Sequence, residues 1–335
     1  MPEFRRNPLT GDWVLYAAER AARPNDFRDG NEVENCPFCP GKEGLTPPEI
    51  LAGRPNGSPP DSPGWRWRIF PNKFPALAPA DSNRELAAPN PNWRGAWGRH
   101  EILIETARHE AGLADLTHGE ITEALTACRA RIAALHREPR VRYVLIFKNH
   151  GQASGASLRH PHFQIAALPF VPDRVTSQID HAKAHFERNG GCVYCDWMER
   201  ESREGSRLIN TSGETTILAP YAGRFPGEAW IIPNRHNSQF EESPASTLAA
   251  AAEGLRNLVA ALQAWAADAP YNLVIVTAPS GKDYSDFFHW RIELIPRLSG
   301  VAGFEWATGI HVNQIMPEEA ARRYRENWGR PAATR

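Results

Sequence analysis

Short apolar runs recur along the chain at two matched sets of positions. His100-Glu-Ile-Leu-Ile-Glu-Thr106 and Val141-Arg-Tyr-Val-Leu-Ile-Phe-Lys-Asn149 lie in the first half. Glu228-Ala-Trp-Ile-Ile-Pro233 and Tyr271-Asn-Leu-Val-Ile-Val-Thr-Ala278 lie in the second. They are rich in β-branched and aromatic residues, which predicts strands. A further strand closes each half, at residues 160–169 and 289–296. Two stretches between the runs read as long helices. Thr117-His-Gly-Glu120 predicts a capping box ahead of residues 121–138. Ser243-Pro244 offers an N-cap and a first-turn proline ahead of residues 245–268. Residues 55–64 and 79–92 carry the Pro, Gly, Ser and Asn of loops. Each half therefore reads as antiparallel strands, a long helix, a strand, a loop and a final strand, which is an α+β unit.

The order of landmarks repeats as well. The first half carries Cys36-Pro-Phe-Cys39, His109 and His160; the second carries Cys192-Val-Tyr-Cys195, His236 and His289. The intervals 109–160 and 236–289 are nearly equal. Unrelated segments do not share cysteines, histidines and spacing together, so the chain reads as a tandem duplication. Two domains follow, residues 1–175 and 176–335. A chain of 335 residues is long for one core, which agrees.

Composition narrows the function. The chain is 41% hydrophobic and 23% charged with a net charge of −1, which argues against a chain-wide nucleic-acid or membrane surface. No apolar run approaches a membrane span, and the first residues carry no apolar signal core, which predicts a cytoplasmic protein. Four of the five cysteines fall in the two Cys-x-x-Cys pairs. In a reducing compartment such pairs are metal ligands or redox dithiols more often than disulfides. Two thiolates and two imidazoles match the tetrahedral preference of zinc. One structural site is expected from Cys36, Cys39, His109 and His160, and a second from Cys192, Cys195, His236 and His289. Cys128 reads as core. His100, His118, His136, His181 and His185 have no patterned partner and read as surface or satisfied residues.

The two final strands differ where chemistry is expected. His160 aligns with His289, His162 with Arg291, and Gln164 with Glu293. The metal position repeats, while the second histidine and the glutamine do not. Residues two apart in a strand share a face. Neutral imidazole is a nucleophile near pH 7, so His162 is a candidate to attack phosphorus, with Gln164 as an amide donor. The Gly- and Ser-rich segment 149–157 can bring backbone N–H groups to phosphate. The competing reading makes His162 a ligand or a polar core residue.

His160-Pro-His162-Phe-Gln164 resembles the His-x-His-x-Gln motif of the nucleotidyltransferase branch of the histidine-triad superfamily. Residues 5–24, Cys36-Pro-Phe-Cys39, Asn72-Lys-Phe-Pro-Ala-Leu77 and 149–164 follow the order of the galactose-1-phosphate uridylyltransferase family. The resemblance covers nearly the whole chain. It implies tandem histidine-triad-like domains, the first catalytic and the second with a degenerate site. It also implies ping-pong transfer through a nucleotidyl-His162, with the His160 carbonyl orienting the ring and Gln164 on the phosphoryl group. The substrates would be a nucleotide sugar and a sugar 1-phosphate, most simply UDP-glucose and galactose 1-phosphate. Arg20, Arg23, Asn72 and Phe74 match its nucleotide-binding region, and Asn149, Gly155 and Ser157 its phosphate loop. Members are typically homodimers. The chain departs from well-known members at its second metal site, and Glu305 and Asn313 are only candidates for sugar contact. Residues 303–319 are also similar to ADP-glucose phosphorylase, for which inorganic phosphate is the acceptor. A hydrolytic enzyme and a zinc-stabilised module without activity are the remaining readings.

Overall fold

Each apolar run forms a strand. A computed structural model of the chain describes residues 2–9, 11–22, 36–79 and 92–330. It divides into two compact units. The first holds Met1–Glu110, Ala134–Ile146 and Ser157–Val171; the second holds Ala111–Ala133, Phe147–Ala156 and Pro172–Arg335. The last crossing between them follows Val171, and residues 111–133 and 147–156 group with the second unit.

In the first unit, strands β1 (Glu3–Arg6), β2 (Trp13–Tyr16) and β5 (Trp93–Gly95) form a small antiparallel sheet in the order β2-β1-β5. The main strands are β3 (Leu51–Gly53), β4 (Trp67–Pro71), β6 (Arg99–Ile104), β7 (Tyr143–His150) and β8 (His162–Leu168). They lie in the order β3-β4-β6-β8-β7, and β7 runs on into the second unit. The second unit holds β9 (Leu208–Thr211), β10 (Thr215–Leu218), β11 (Ala229–Pro233), β12 (Tyr271–Val276) and β13 (Arg291–Pro296). Their order is β9-β10-β11-β13-β12. Counted along the chain, both units run first, second, third, fifth, fourth. The repeat seen in the landmarks is therefore a repeat of topology.

Among the described residues the α-helices are α1 (His118–His136), α2 (Asp173–Asn189), α3 (Val193–Glu204), α4 (Ala245–Trp265), α5 (Gly303–Thr308) and α6 (Pro317–Asn327). The capping box of α1 forms as read: Glu120 N–H donates to Thr117 Oγ1 at 3.2 Å, and Thr117 N–H to the Glu120 carboxylate at 2.8 Å. The expected Ser243 cap does not form. Pro244 is the N-cap of α4, and the Ser243 hydroxyl is buried without a hydrogen-bond partner. Helix α4 packs so closely that a Cβ on Gly254 would lie 2.6 Å from Ile217 Cδ1 of β10. Helix α2 falls between the landmarks of the repeat, and α3 begins within the Cys192–Cys195 pair; neither is among the expected elements.

The final strand of the first unit also starts later than read. β8 begins at His162, so His160 stands ahead of it. The final strand of the second unit likewise begins two residues later than read, at the matching Arg291, where Trp290 stands in place of Pro161. Strands β6 and β8 pair antiparallel, with Ile104 opposite His162, Ile102 opposite Gln164 and His100 opposite Ala166. Directly opposed residues share a face. The face carrying His162 and Gln164 also carries Ile102 and Ile104, which cluster with Cys36, Phe38, Trp65, Phe70 and Leu158.

Candidate active site

The first unit gathers Cys36, Cys39, His109 and His160 as expected. Cys39 Sγ is 3.3 Å from His109 Nδ1 and 3.6 Å from His160 Nδ1; Cys36 Sγ is 3.8 Å from His160 Nδ1. A tetrahedral ion at ordinary Zn–S and Zn–N lengths sets sulfur and nitrogen about 3.6 Å apart. The donor set thus fits a tetrahedral metal. The ring of His160 is oriented to ligate. Its Nε2–H donates to the Thr106 carbonyl at 2.9 Å, which leaves the Nδ1 lone pair toward the thiols. Phe38, between the two cysteines, sets its ring edge-on to His162 with centroids 5.2 Å apart.

His162 is buried, and its Nδ1–H donates to the backbone carbonyl of His160 at 2.8 Å. That bond fixes the ring and assigns the lone pair to Nε2. Two residues on, Gln164 places Oε1 3.0 Å from His100 Nε2. Arg20 donates from Nη1 to the Phe74 carbonyl at 2.7 Å, and Asn72 Oδ1 accepts from Phe74 N–H at 2.9 Å. Arg20 Nη1 is also 3.5 Å from His100 Nδ1. The expected nucleotide residues Arg20, Asn72 and Phe74 thus meet around His100. Arg23 lies outside the described residues. Ser157 is half-buried in the first unit.

Asn149 and Gly155 group with the second unit. Asn149 Oδ1 accepts from Asn272 Nδ2 at 2.8 Å, and the same Asn272 amide donates to the Ser154 carbonyl at 2.9 Å. Gly155 follows the short turn Gln152–Ser154 with φ of 90°, a left-handed conformation that suits glycine. Glu305 and Asn313, offered as sugar contacts, have roles within the chain. The Glu305 carboxylate accepts from Ala302 N–H at the start of α5 (3.1 Å), and Asn313 Nδ2 donates to the Gly223 carbonyl at 2.9 Å.

The second unit gathers Cys192, Cys195 and His236, with Cys195 Sγ 3.3 Å from His236 Nδ1. The hydrogen bonds of Cys195 and His236 hold the Cys192 thiol down at about 4, and the neighbouring Cys192 pushes Cys195 up. His289, expected as the fourth ligand, is not in this cluster. Its Nδ1–H donates to the Trp290 carbonyl at 3.1 Å, and its Nε2 is buried without a partner.

Where the first unit has His162 and Gln164, the second has a packed ion network. Glu293 accepts from Arg291 Nε at 2.9 Å and from Arg224 Nη2 at 2.6 Å. Arg224 also pairs with Glu228 at 2.7 Å, and Arg291 lies over the Trp230 ring at 4.6 Å. Burial pushes the Glu293 carboxyl up, but the Arg291 and Arg224 guanidiniums outweigh it and hold it below the ordinary carboxylate range.

Residues 1–172 match the model of the galactose-1-phosphate uridyl transferase N-terminal domain, and residues 104–328 match that of a domain of unknown function. The chain belongs to the galactose-1-phosphate uridylyltransferase family. It is accordingly a transferase. An ADP-glucose phosphorylase of Arabidopsis thaliana is 33% identical over 97% of this chain and 93% of its own length. A galactose-1-phosphate uridylyltransferase of Thermotoga maritima is 30% identical over 97% and 98%. The crystal structure of the Arabidopsis phosphorylase with bound ADP-glucose superposes with a TM-score of 0.77 at 32% identity, covering 97% of this chain and 99% of that one. A uridylyltransferase structure gives 0.81 at 28% identity, covering 97% and 98%.

His100 and Phe38 are the residues at this site that motif spacing did not single out. The signal for His100 was its place two residues before Ile102 and four before Ile104, on the same inward face of a strand.

Proposed function

We propose that the protein moves a nucleoside monophosphate from a nucleotide sugar to a phosphate acceptor by way of His162. The observation that carries this reading is the 2.8 Å bond from His162 Nδ1–H to the His160 carbonyl, which aims an unprotonated Nε2 as a nucleophile. In the first step Nε2 attacks the α-phosphorus, the bond to the bridging oxygen breaks, and hexose 1-phosphate leaves. In the second step the acceptor phosphate oxygen attacks the same phosphorus and frees His162. The amide of Gln164 donates to a phosphoryl oxygen. Arg20, Asn72 and Phe74, with Arg23, take the nucleotide; Asn149, Gly155 and Ser157 form the phosphate loop; Glu305 and Asn313 stay candidates for the hexose.

The leading substrate pair is UDP-glucose with a hexose 1-phosphate. A specific observation favours a second pair, ADP-glucose with inorganic phosphate: over the same 97% of this chain the Arabidopsis phosphorylase is 33% identical and the Thermotoga uridylyltransferase 30%. Intact-protein mass spectrometry after mixing with each nucleotide sugar decides both points. The expected result is a uridylyl or adenylyl increment that disappears in His162→Ala. An adduct that persists in His162→Ala refutes the assignment of the nucleophile.

Both metal clusters are read as structural zinc sites. His289 would complete the second after a half-turn of its ring about Cβ–Cγ, which leaves the ring plane in place. Two ring geometries support this: His109 and His160 lie 5.4 Å apart at 90°, and His236 and His289 lie 5.2 Å apart at 82°. Metal would supply the free energy that holds the Cys36–Cys39 turn against the site. We also read the protein as a cytoplasmic homodimer. Exposed Phe304, Trp306, Ile310, Val312 and Met316 offer an apolar surface for a second copy. No helix among the described residues is long and apolar enough to cross a membrane.

A further inference from the structure

We propose that His100 is a positioning residue that locks the Gln164 amide with its NH₂ group presented to the transferred phosphoryl group. The proposal rests on the reading of His162 as nucleotide carrier. Its first support is a count of protons. The Ala76 backbone N–H donates to His100 Nδ1 at 2.9 Å. A backbone N–H can only donate, so Nδ1 carries no proton, and the one proton of a neutral imidazole is on Nε2. Burial pushes the ring down to about 4, against the Gln164 bond, and the Arg20 charge adds to the fall. The ring is therefore neutral at pH 7. Nε2–H then donates to Gln164 Oε1 at 3.0 Å.

This leaves Gln164 no choice of rotamer end. A flipped amide would set its NH₂ against an N–H. Asn72 Nδ2, 3.3 Å from the same ring nitrogen, cannot accept either, because its own Oδ1 is taken by Phe74 N–H. The flipped state loses a buried hydrogen bond and is disfavoured by roughly tenfold or more. Among the described residues, the Gln164 NH₂ makes no hydrogen bond of its own. A donor fixed in advance at a site of shifting charge is worth more than one free to turn.

The second support is the internal echo. On β11 and β13, Trp230 opposes Glu293, as Ile102 opposes Gln164. The place of His100, two residues before Ile102, is taken by Glu228. Glu228 and Glu293 are bridged by Arg224, at 2.7 Å and 2.6 Å. Both members of the pair differ between the halves, and in each half the two positions are joined by hydrogen bonds. That is the pattern of two positions acting as one.

The test uses the full chain with His100→Leu, His100→Gln, Gln164→Ala and the His100→Leu/Gln164→Ala double variant. Single-turnover formation of the nucleotidyl adduct and nucleoside monophosphate affinity by calorimetry are measured for each. His100→Leu should slow adduct formation about tenfold or more while affinity stays within about twofold. His100→Gln, which keeps an N–H donor, should recover most of the loss. In the Gln164→Ala background, His100→Leu should cost nothing further. Equal slowing in both backgrounds, or no slowing at all, overturns the proposal. Long-range ¹H–¹⁵N correlation of the imidazoles gives a readout free of activity. A neutral Nε2–H tautomer for His100, perturbed in Gln164→Ala, is expected, and an Nδ1–H tautomer overturns it. If the unaltered protein forms no adduct with either nucleotide sugar, the function reading fails, while the tautomer still decides the pairing.

Discussion

Replacing Glu293 with Gln should destabilise the second unit strongly, and the size follows from the charges around it. Arg291 is 2% exposed, and its guanidinium is held by Glu293 at 2.7 Å. Arg224 also reaches Glu293, at 2.6 Å. Glu293→Gln keeps the shape but removes one negative charge from a cluster of two arginines and two glutamates. A net positive charge is left where water has little access. Breaking a buried pair from one side costs about 3–5 kcal/mol. For a unit of this size that corresponds to roughly 6–20 °C in Tm. The pH dependence has a definite sign. The folded Glu293 titrates below its ordinary 4.5. Its contribution is therefore present above pH 4.5 and is lost as pH falls through the lower, folded value. Thermal unfolding followed by circular dichroism at pH 7.5, 5 and 3.5 should show a wide gap between the unaltered protein and Glu293→Gln that narrows only below pH 4.5. A loss of under about 1 kcal/mol at pH 7.5, or a gap that does not change with pH, refutes the argument.

Further outcomes follow from the site. Elemental analysis should find two zinc ions per chain if both clusters fill; Cys39→Ser should remove one and Cys195→Ser the other. Phe38→Ala removes a ring packed edge-on to His162, and should cost about 3–5 kcal/mol for a buried aromatic, read by urea unfolding. Gly98→Ala would place a Cβ 2.3 Å from the Ala167 carbonyl oxygen, so β6 must shift; a loss of about 1–3 kcal/mol is expected by the same assay. His100 should show no imidazole titration between pH 5 and 9 by NMR, because burial holds its ring down to about 4.

The parts of the site legible in the sequence were those that depend on residue type at repeated intervals. Cys36, Cys39, His109 and His160 recur as Cys192, Cys195, His236 and His289, and seven of these eight fall in the two clusters. The eighth, His289, could not be placed by spacing, because which nitrogen a ring presents is a torsion. The link between His100 and Gln164 was hidden for another reason: it depends on the register between β6 and β8, and the two residues stand 64 positions apart. Helix starts were legible where a side chain makes the cap, as at Thr117. At Ser243 the rule pointed one residue early, because Pro244 itself takes the cap position. The strand alternation assumed for His160 failed because β8 begins only at His162, as β13 begins only at Arg291.

The bond that orients His162 has a consequence for how such a chain can change over time. It runs to the carbonyl of residue 160, and every amino acid supplies a carbonyl. Mutation at position 160 can remove an imidazole from the Cys36–Cys39 cluster but cannot delete the acceptor, so the orientation of the His162 ring is insulated from drift in its neighbour. The reverse holds too: His162 can be exchanged without touching the ligand beside it. The second half of the chain has His289 at the matching place and an arginine two residues later. Gain or loss of chemistry in a duplicated unit of this kind therefore needs no redesign of the scaffold that carries it.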